Sequence, residues 1–262
     1  MTDVEPGEDV RAVGRPGSDA MVREWDNLAE RRRSEISKGT DTSFLNTLMP
    51  AVKAEVQAAR SRHPELRVLD VGCGTGELTV ELLPLVDYLV GVDPSRRSIQ
   101  LARQLAPAVP LHVSDLRSFS ASHRHLFSVT VANMVLMNVD DLDSFTRDLA
   151  AVLQPGGTLI ATLTHPWTWP RYWAYEGAPW FSYDSELFVQ AGWKVSGAPA
   201  AAPEVSTHVH RPLGRYVQGL VDAGFAITGL LELGATSSTR GGRSVARPYP
   251  RFLLIRAQFL PE

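Results

Sequence analysis

Apolar and polar positions along the chain fall into two rhythms. Short apolar runs at residues 68–71, 88–92, 111–113, 127–132 and 158–163 have the length and β-branched content of buried strands. Helical spacing lies between them, as in Leu78, Leu82 and Leu83 after the first run, with further helices over 95–105 and 142–153. Strand alternating with helix predicts a parallel α/β sheet covered on both faces. Ahead of this core, Met21, Trp25, Leu28 and Ala29 predict a helix over 19–38, with Arg31, Arg32 and Arg33 on its solvated side. Phe44, Leu45, Leu48, Val52 and Val56 predict a second over 40–62, interrupted at Pro50 and closed before Pro64. Behind the core, a helix stops at Ala223-Gly224-Phe225, and strands follow over 225–233 and 252–259. Residues 1–18 carry Pro6, Gly7, Gly14, Pro16 and Gly17 with little apolar content and predict a disordered tail.

The first apolar run continues as Asp70-Val71-Gly72-Cys73-Gly74-Thr75-Gly76, and Glu77 then opens a helix. Three glycines permit a tight turn whose backbone can approach a ligand closely. Their G-x-G-x-G spacing is not the G-x-G-x-x-G of the dinucleotide fingerprint. V-L-D-V-G-C-G-T-G resembles the first motif of the class I S-adenosylmethionine (SAM) methyltransferases, small-molecule type. The resemblance implies a Rossmann-like, seven-stranded sheet with the last strand antiparallel. It also implies SAM as cofactor, with S-adenosylhomocysteine (SAH) as its product.

The resemblance extends downstream. Asp93 ends the second strand, 21 residues beyond Gly72, where the family's acidic residue accepts hydrogen bonds from both ribose hydroxyls. A carboxylate has two oxygens for that work, although Asp93-Pro94-Ser95 also reads as a helix cap. Asp115 is placed near the adenine amine and Leu116 near the ring, with a plain helix-capping role for Asp115 as the alternative. The implied cofactor site is Asp70, Gly72, Cys73, Gly74, Gly76, Asp93, Pro94, Asp115, Leu116, Asn133 and Met134. After the fourth strand the chain reads Asn133-Met134-Val135-Leu136, without the Pro-Pro-Tyr of nucleic-acid amino-methyltransferases. Asn138 stands where many relatives have a histidine. Gln154-Pro155-Gly156-Gly157 matches the family's L-x-P-G-G turn, and His210-Arg211-Pro212-Leu213 opens a match to H-R-x-L-x-x-Y. The expected organisation is therefore a tail over 1–18, N-terminal helices covering the cofactor over 19–64, a SAM-binding core over 65–163, a lid over 164–211 and completion of the sheet over 212–262.

The lid is expected from composition. Five of the six tryptophans lie between 167 and 193, directly after the fifth strand, where α/β sheets bind ligands. Residues 193–195 and 205–210 would pair as a hairpin within it. The segment reads as the wall of an acceptor pocket, or else as a satellite core or dimer surface. An alcohol acceptor needs a base to remove its proton, and His165, His210 and Tyr172 are the candidates. Arg240, Arg243, Arg247 and Arg251 read as a solvated loop, with an anion site as the alternative.

Bulk properties narrow the function. At 262 residues and 44% hydrophobic content the chain supports a large core, and no apolar run is long enough to span a membrane. The single cysteine, Cys73, permits no intrachain disulfide and fits the cytoplasm; a reactive thiol is the alternative to a small filler. A net charge of −3 argues against nucleic acid as a partner. No ligand cluster with metal spacing is seen, and a monomer or homodimer is expected. The reading is an enzyme of natural-product biosynthesis that methylates a small-molecule acceptor, oxygen ahead of nitrogen and carbon. A SAM-binding protein of the same fold with non-methyl-transfer, pericyclase-type chemistry stays open. An RNA methyltransferase and a nicotinamide-dependent oxidoreductase are disfavoured.

Overall fold

The computed structural model describes residues 10–196, 203–234, 238–240, 243–245 and 249–260. Strand β1 (Arg11–Val13) is followed by the 20-residue helix α1 (Ser18–Ser37). A π-helical turn over Phe44–Leu48 runs into α2 (Met49–Ala59). Pro50 explains the widened turn. It has no N–H to give back to the preceding turn, and the Met49 N–H reaches to the Phe44 carbonyl instead. The core then alternates through β2 (Arg67–Val71), α3 (Glu77–Leu82), β3 (Tyr88–Asp93), α4 (Arg96–Leu105), β4 (Leu111–Val113), α5 (Leu116–Ser120) and β5 (Phe127–Asn133). Next come α6 (Leu142–Val152), β6 (Leu153–Thr164), α7 (Trp169–Tyr172), β7 (Leu187–Gly192) and β8 (Val205–His210). The chain closes with α8 (Leu213–Asp222), β9 (Phe225–Leu233), the hairpin of β10 (Ser238–Arg240) and β11 (Arg243–Val245), and β12 (Phe252–Phe259).

The central sheet has the order β4-β3-β2-β5-β6-β12-β9. Strands β4 to β6 are parallel, and β12 inserts antiparallel between β6 and β9. This is the Rossmann-like sheet expected. Alternation within each strand feeds two cores. Leu69 faces α5, α6 and α8, whereas Val68 faces α2, α3 and α4. The chain winds outward from β2 to β4, then returns to start β5 on the other side of β2. That reversal opens a crevice at the carboxyl ends of β2 and β5.

Three expectations need correction. Residues 1–9 lie outside the described residues, but Arg11–Val13 is a strand, antiparallel to β7 at Phe188, Val189 and Gln190. Three residues are too few to show a rhythm, and the edge of β7 supplies the partner. The hairpin forms one element earlier than expected, because β7 pairs with β8 and ends with Gly192 opposite Val205. Phe188, Val189 and Ala191 give β7 its buried positions, while the Trp193 ring turns to α1. Finally, Gln154–Gly157 is not a free turn but a bulge inside β6, since Phe127 pairs with Leu153 and Val129 with Thr158.

Candidate active site

The crevice starts from the glycine turn. Gly72 has φ +66°, and a Cβ there would stand 2.5 Å from Cγ2 of Val135. Its N–H and that of Cys73 both donate to the Val92 carbonyl, at 2.8 and 3.2 Å, which pins the turn to β3. Gly74, with φ +55°, has nothing within 4 Å of where a Cβ would be and so faces open space. That space is a cavity of about 540 Å³, a size suited to a small ligand. Every residue expected at the cofactor lines it except Gly76, which precedes α3 and packs on Ala102.

Two carboxylates sit at its base. Asp70 is buried and accepts the Thr79 hydroxyl at 2.7 Å, and its desolvation raises its pKa to about 7. Asp93 accepts the Gly74 N–H at 2.9 Å on Oδ2 and the Ser95 N–H at 2.8 Å on Oδ1. Desolvation outweighs these bonds and lifts Asp93 to about 6. Asp93 therefore also orders the glycine turn, a role its place in the sequence does not reveal. The cap of α4 is Ser95, whose hydroxyl accepts the Ser98 N–H at 3.0 Å. Asp115 lines the cavity and caps α5 through the Ser118 N–H at 2.7 Å. Burial and the two nearby aspartates push the Cys73 thiol well up, so it is no thiolate nucleophile.

The roof of the cavity is α1. Met21, Val22, Trp25, Ala29, Arg32 and Ile36 face it at helical spacing. The expectation placed covering helices over 19–64 without naming these residues, because the same stripe reads in the sequence as an ordinary core face. The roof is held on both flanks. Asp26 accepts from the Ser95 hydroxyl and the Arg97 N–H at 2.6 and 3.0 Å, and Glu24 accepts the Thr207 N–H at 2.7 Å. The arginine run is not a solvated face. Arg31 pairs with Glu204 at 3.0 Å, Arg32 with buried Asp41, and Arg33 donates to the Leu101 carbonyl at 2.9 Å. Trp25 is set edge-on against Trp193, with centroids 5.4 Å apart.

The aromatic segment does not wall this cavity. No described residue of 164–211 lines it. Tyr175 packs with Trp180 and Phe181 into a satellite core, and β1, β7 and β8 form a small sheet beside α1. An abundance of aromatics does not say which way they face. The three base candidates go with that segment. His165 is buried with Nε2 3.2 Å from Glu232, His210 donates through Nε2 to the Tyr183 carbonyl at 3.1 Å, and Tyr172 donates to the Tyr249 carbonyl at 3.0 Å. None lines the cavity. Burial also holds His210 below the usual imidazole range. Of the arginines expected near 240–251, Arg251 donates to the Ser43 hydroxyl at 2.9 Å; the side chains of Arg240, Arg243 and Arg247 lie outside the described residues.

What the segment supplies instead is Arg211. Its side chain is fully buried, paired with Glu186 at 2.6 Å. It donates to the carbonyls of Leu136, Val139 and Asp140 at 3.3, 2.8 and 3.2 Å. Val139 and Asp140 line the cavity, so this buried arginine fixes its rim. From the opposite side, exposed Arg15 donates to the same Asp140 carbonyl at 3.2 Å, with its carboxylate 3.6 Å away. Among the described residues no group of three or more metal-ligating side chains is assembled, and no helix is long and apolar enough to cross a membrane.

Residues 68–157, which hold β2 to β5 and the floor of this cavity, match the family model described as a methyltransferase domain. Across those residues the chain is similar to methyltransferase domains. The crevice of that stretch is the one just described, and the rest of the chain adds the roof, the arginine that holds the rim and the sheet edge. Over 118 residues the chain is 31% identical to a dTDP-4-amino-2,3,4,6-tetradeoxy-D-glucose N,N-dimethyltransferase of Saccharopolyspora spinosa, covering 44% of this chain and 46% of that one. Over 106 residues it is 36% identical to a ubiquinone biosynthesis O-methyltransferase of Bradyrhizobium sp. (strain ORS 278), covering 39% and 42%. The chain thus spans less than half the length of these relatives. The solved structure of Burkholderia thailandensis 1,6-didemethyltoxoflavin-N1-methyltransferase, with bound 1,6-didemethyltoxoflavin and S-adenosylhomocysteine, covers 98% of this chain and 100% of its own at a TM-score of 0.59. At 16% identity that likeness extends the methyltransferase fold to nearly the whole chain.

Proposed function

We propose that this protein is an enzyme that methylates a small molecule with SAM as donor. The observation that carries the reading is Asp93, which ends β3, ties down Gly74 and lines the cavity. The residues present fit the cofactor. The open face at Gly74 leaves room for close approach, and two desolvated carboxylates favour a ligand that brings hydroxyl donors and positive charge. Asp93 would receive the ribose hydroxyls on lone pairs left by Gly74 and Ser95, while Asp115 and Leu116 would take the adenine. Bound there, SAM would supply an electrophilic methyl on a sulfonium with a neutral thioether as leaving group. The protein's part is to align an acceptor with that methyl and exclude water.

We place the enzyme in the cytoplasm and its acceptor among partly apolar secondary metabolites, on the strength of Met21, Val22 and Trp25 in the roof. Oxygen led the expected acceptor atoms with His165, His210 or Tyr172 as base, and that support is gone because none of the three reaches the cavity. Calorimetric titration with SAM, SAH and NAD tests the cofactor. SAM and SAH should bind and NAD should not; NAD binding alone overturns the reading.

A pH dependence follows. Burial raises Asp70 and Asp93 above the ordinary carboxylate range, to about 7 and about 6. The folded apo protein therefore binds more protons than the unfolded chain between that range and these values, and the contribution of the two groups to stability falls as pH rises from about 4 to about 7. SAM favours the ionised pair, so its affinity should rise over the upper part of that window. Melting with and without SAM at a series of pH values checks this. The ligand-induced rise in Tm should be larger at about pH 8 than at about pH 5.5, and a pH-independent rise would refute the linkage.

A further inference from the structure

The loop leaving β5 holds two asparagines around one residue, Asn133 before Met134 and Asn138 after it. Met134 lines the cavity with φ +60°, a left-handed backbone rare for a side chain of its kind. Two amides brace it. The Met134 N–H donates to the Thr162 carbonyl at 2.9 Å and the Thr162 hydroxyl at 3.0 Å. That hydroxyl gives its proton to Asn133 Oδ1 at 2.7 Å. From the other side, Asn138 Nδ2 donates to the Met134 carbonyl at 2.8 Å.

The carbonyl partner fixes the Asn138 amide, and the Thr162 hydroxyl, which accepts the Met134 N–H, donates to Asn133 Oδ1. Asn133 has spent its carbonyl and retains Nδ2, a donor; Asn138 has engaged its amino group and retains Oδ1, an acceptor. Among the described residues neither remaining atom has a hydrogen-bond partner, and neither belongs to the buried, unsatisfied atoms. Both residues line the cavity. A donor and an acceptor thus stand on either side of a strained residue, on a wall otherwise made by Val135 and Val139.

Among the described residues the lining contains no histidine, tyrosine or lysine. Its carboxylates are all engaged: Asp140 with Arg15, Asp141 with the Ser144 N–H, Asp148 with Ser120 and Arg117, Glu77 with the Thr75 hydroxyl, Asp115 with the Ser118 N–H, Asp70 with the Thr79 hydroxyl, and Asp93 with the Gly74 and Ser95 N–H groups. An alcohol would have to shed its proton as the new bond forms, and an amide oxygen is too weak a base to take it. A neutral amine keeps its N–H through the transfer.

Resting on the SAM-dependent reading above, we propose that Asn133 and Asn138 bind the methyl acceptor, and that its reacting atom is a neutral nitrogen bearing at least one N–H. Asn138 Oδ1 accepts that N–H and turns the nitrogen lone pair toward the methyl. Asn133 Nδ2 donates to a second heteroatom of the acceptor, leaving the reacting lone pair free. The lone pair forms the N–C bond, the S–C bond breaks with its electrons left on sulfur, and the products are the thioether SAH and an N-methylammonium. The ammonium proton leaves afterwards to water.

The test uses the full chain with ¹³C-methyl SAM and a small-molecule extract of cells that make the protein. The carbon shift of the transferred methyl reports the atom it joined. Label on nitrogen is expected, and label on oxygen or carbon overturns the acceptor class. Asn133→Ala and Asn138→Ala should each slow transfer about fivefold or more at saturating SAM, the effect of one lost hydrogen bond. The purified methylated product should likewise bind SAH-loaded wild type more tightly than either SAH-loaded variant. If label reaches nitrogen and both variants match wild type in transfer and in product binding, the two amides are not the acceptor site. SAH binding without transfer to any molecule would instead overturn the methyltransferase reading, and with it this proposal.

Discussion

Replacing Asp93 with alanine is expected to weaken SAH binding by about 1.5–3 kcal/mol, on the order of 10- to 150-fold, the cost of losing a charged hydrogen-bonding group. The effect has two sources. The ribose hydroxyls lose their acceptor, and the Gly74 and Ser95 N–H groups, now bound to Asp93 at 2.9 and 2.8 Å, lose the partner that shapes the turn. Asp93→Asn separates them, since its remaining oxygen can serve one N–H but not the full set, and its loss should be intermediate. The apo fold should not suffer in proportion, because this carboxylate is held in a desolvated site that already disfavours its charge. Calorimetry with SAH decides the matter, and affinity of Asp93→Ala within about twofold of wild type would falsify the ribose assignment.

The second large effect is structural. Arg211→Met should cost about 3 kcal/mol, the lower end for breaking a buried pair, because Glu186 is 37% exposed and can regain water. Three carbonyls, of Leu136, Val139 and Asp140, would lose their donor as well. For a domain of this size the melting temperature should fall by roughly 6–12 °C. Hydrogen exchange should quicken over residues 136–140, with that of β2 and β3 changed only through the global opening. A Tm within about 2 °C of wild type, about the shift of 1 kcal/mol or less, would mean that the arginine carries no such weight.

The two effects also show how far residues alone could reveal this molecule. The core strands were legible because parallel strands buried on both faces leave continuous apolar runs, as at β2 and β3. The glycine turn was legible because a close-approach turn needs glycine, and the place of Asp93 at the end of β3 was legible through the family resemblance. Arg211 stood in a recognisable H-R-x-L pattern, yet nothing in that pattern tells that its guanidinium reaches carbonyls more than 70 residues away. Strand β1 was hidden because its stability comes from the edge of β7, not from its own residues. Which residues of the covering helix face the cavity was hidden, because a stripe at positions 21, 25, 29, 32 and 36 looks the same whether it covers a core or a cavity. The tryptophan-rich stretch misled for the converse reason. Aromatic rings that fill a small satellite core leave the same composition as rings that greet a substrate.

Arg15 carries a last consequence. Helix α1 is riveted to α4 on one flank and to β8 on the other, whereas the segment ahead of it meets the rim through a pair that lies largely in water, the arginine being 58% exposed. Dissolved ions screen such a pair and leave the rivets nearly untouched. Ionic strength should then act as a throttle on traffic through the chamber, quickening the arrival and departure of nucleoside while its resting occupancy changes little.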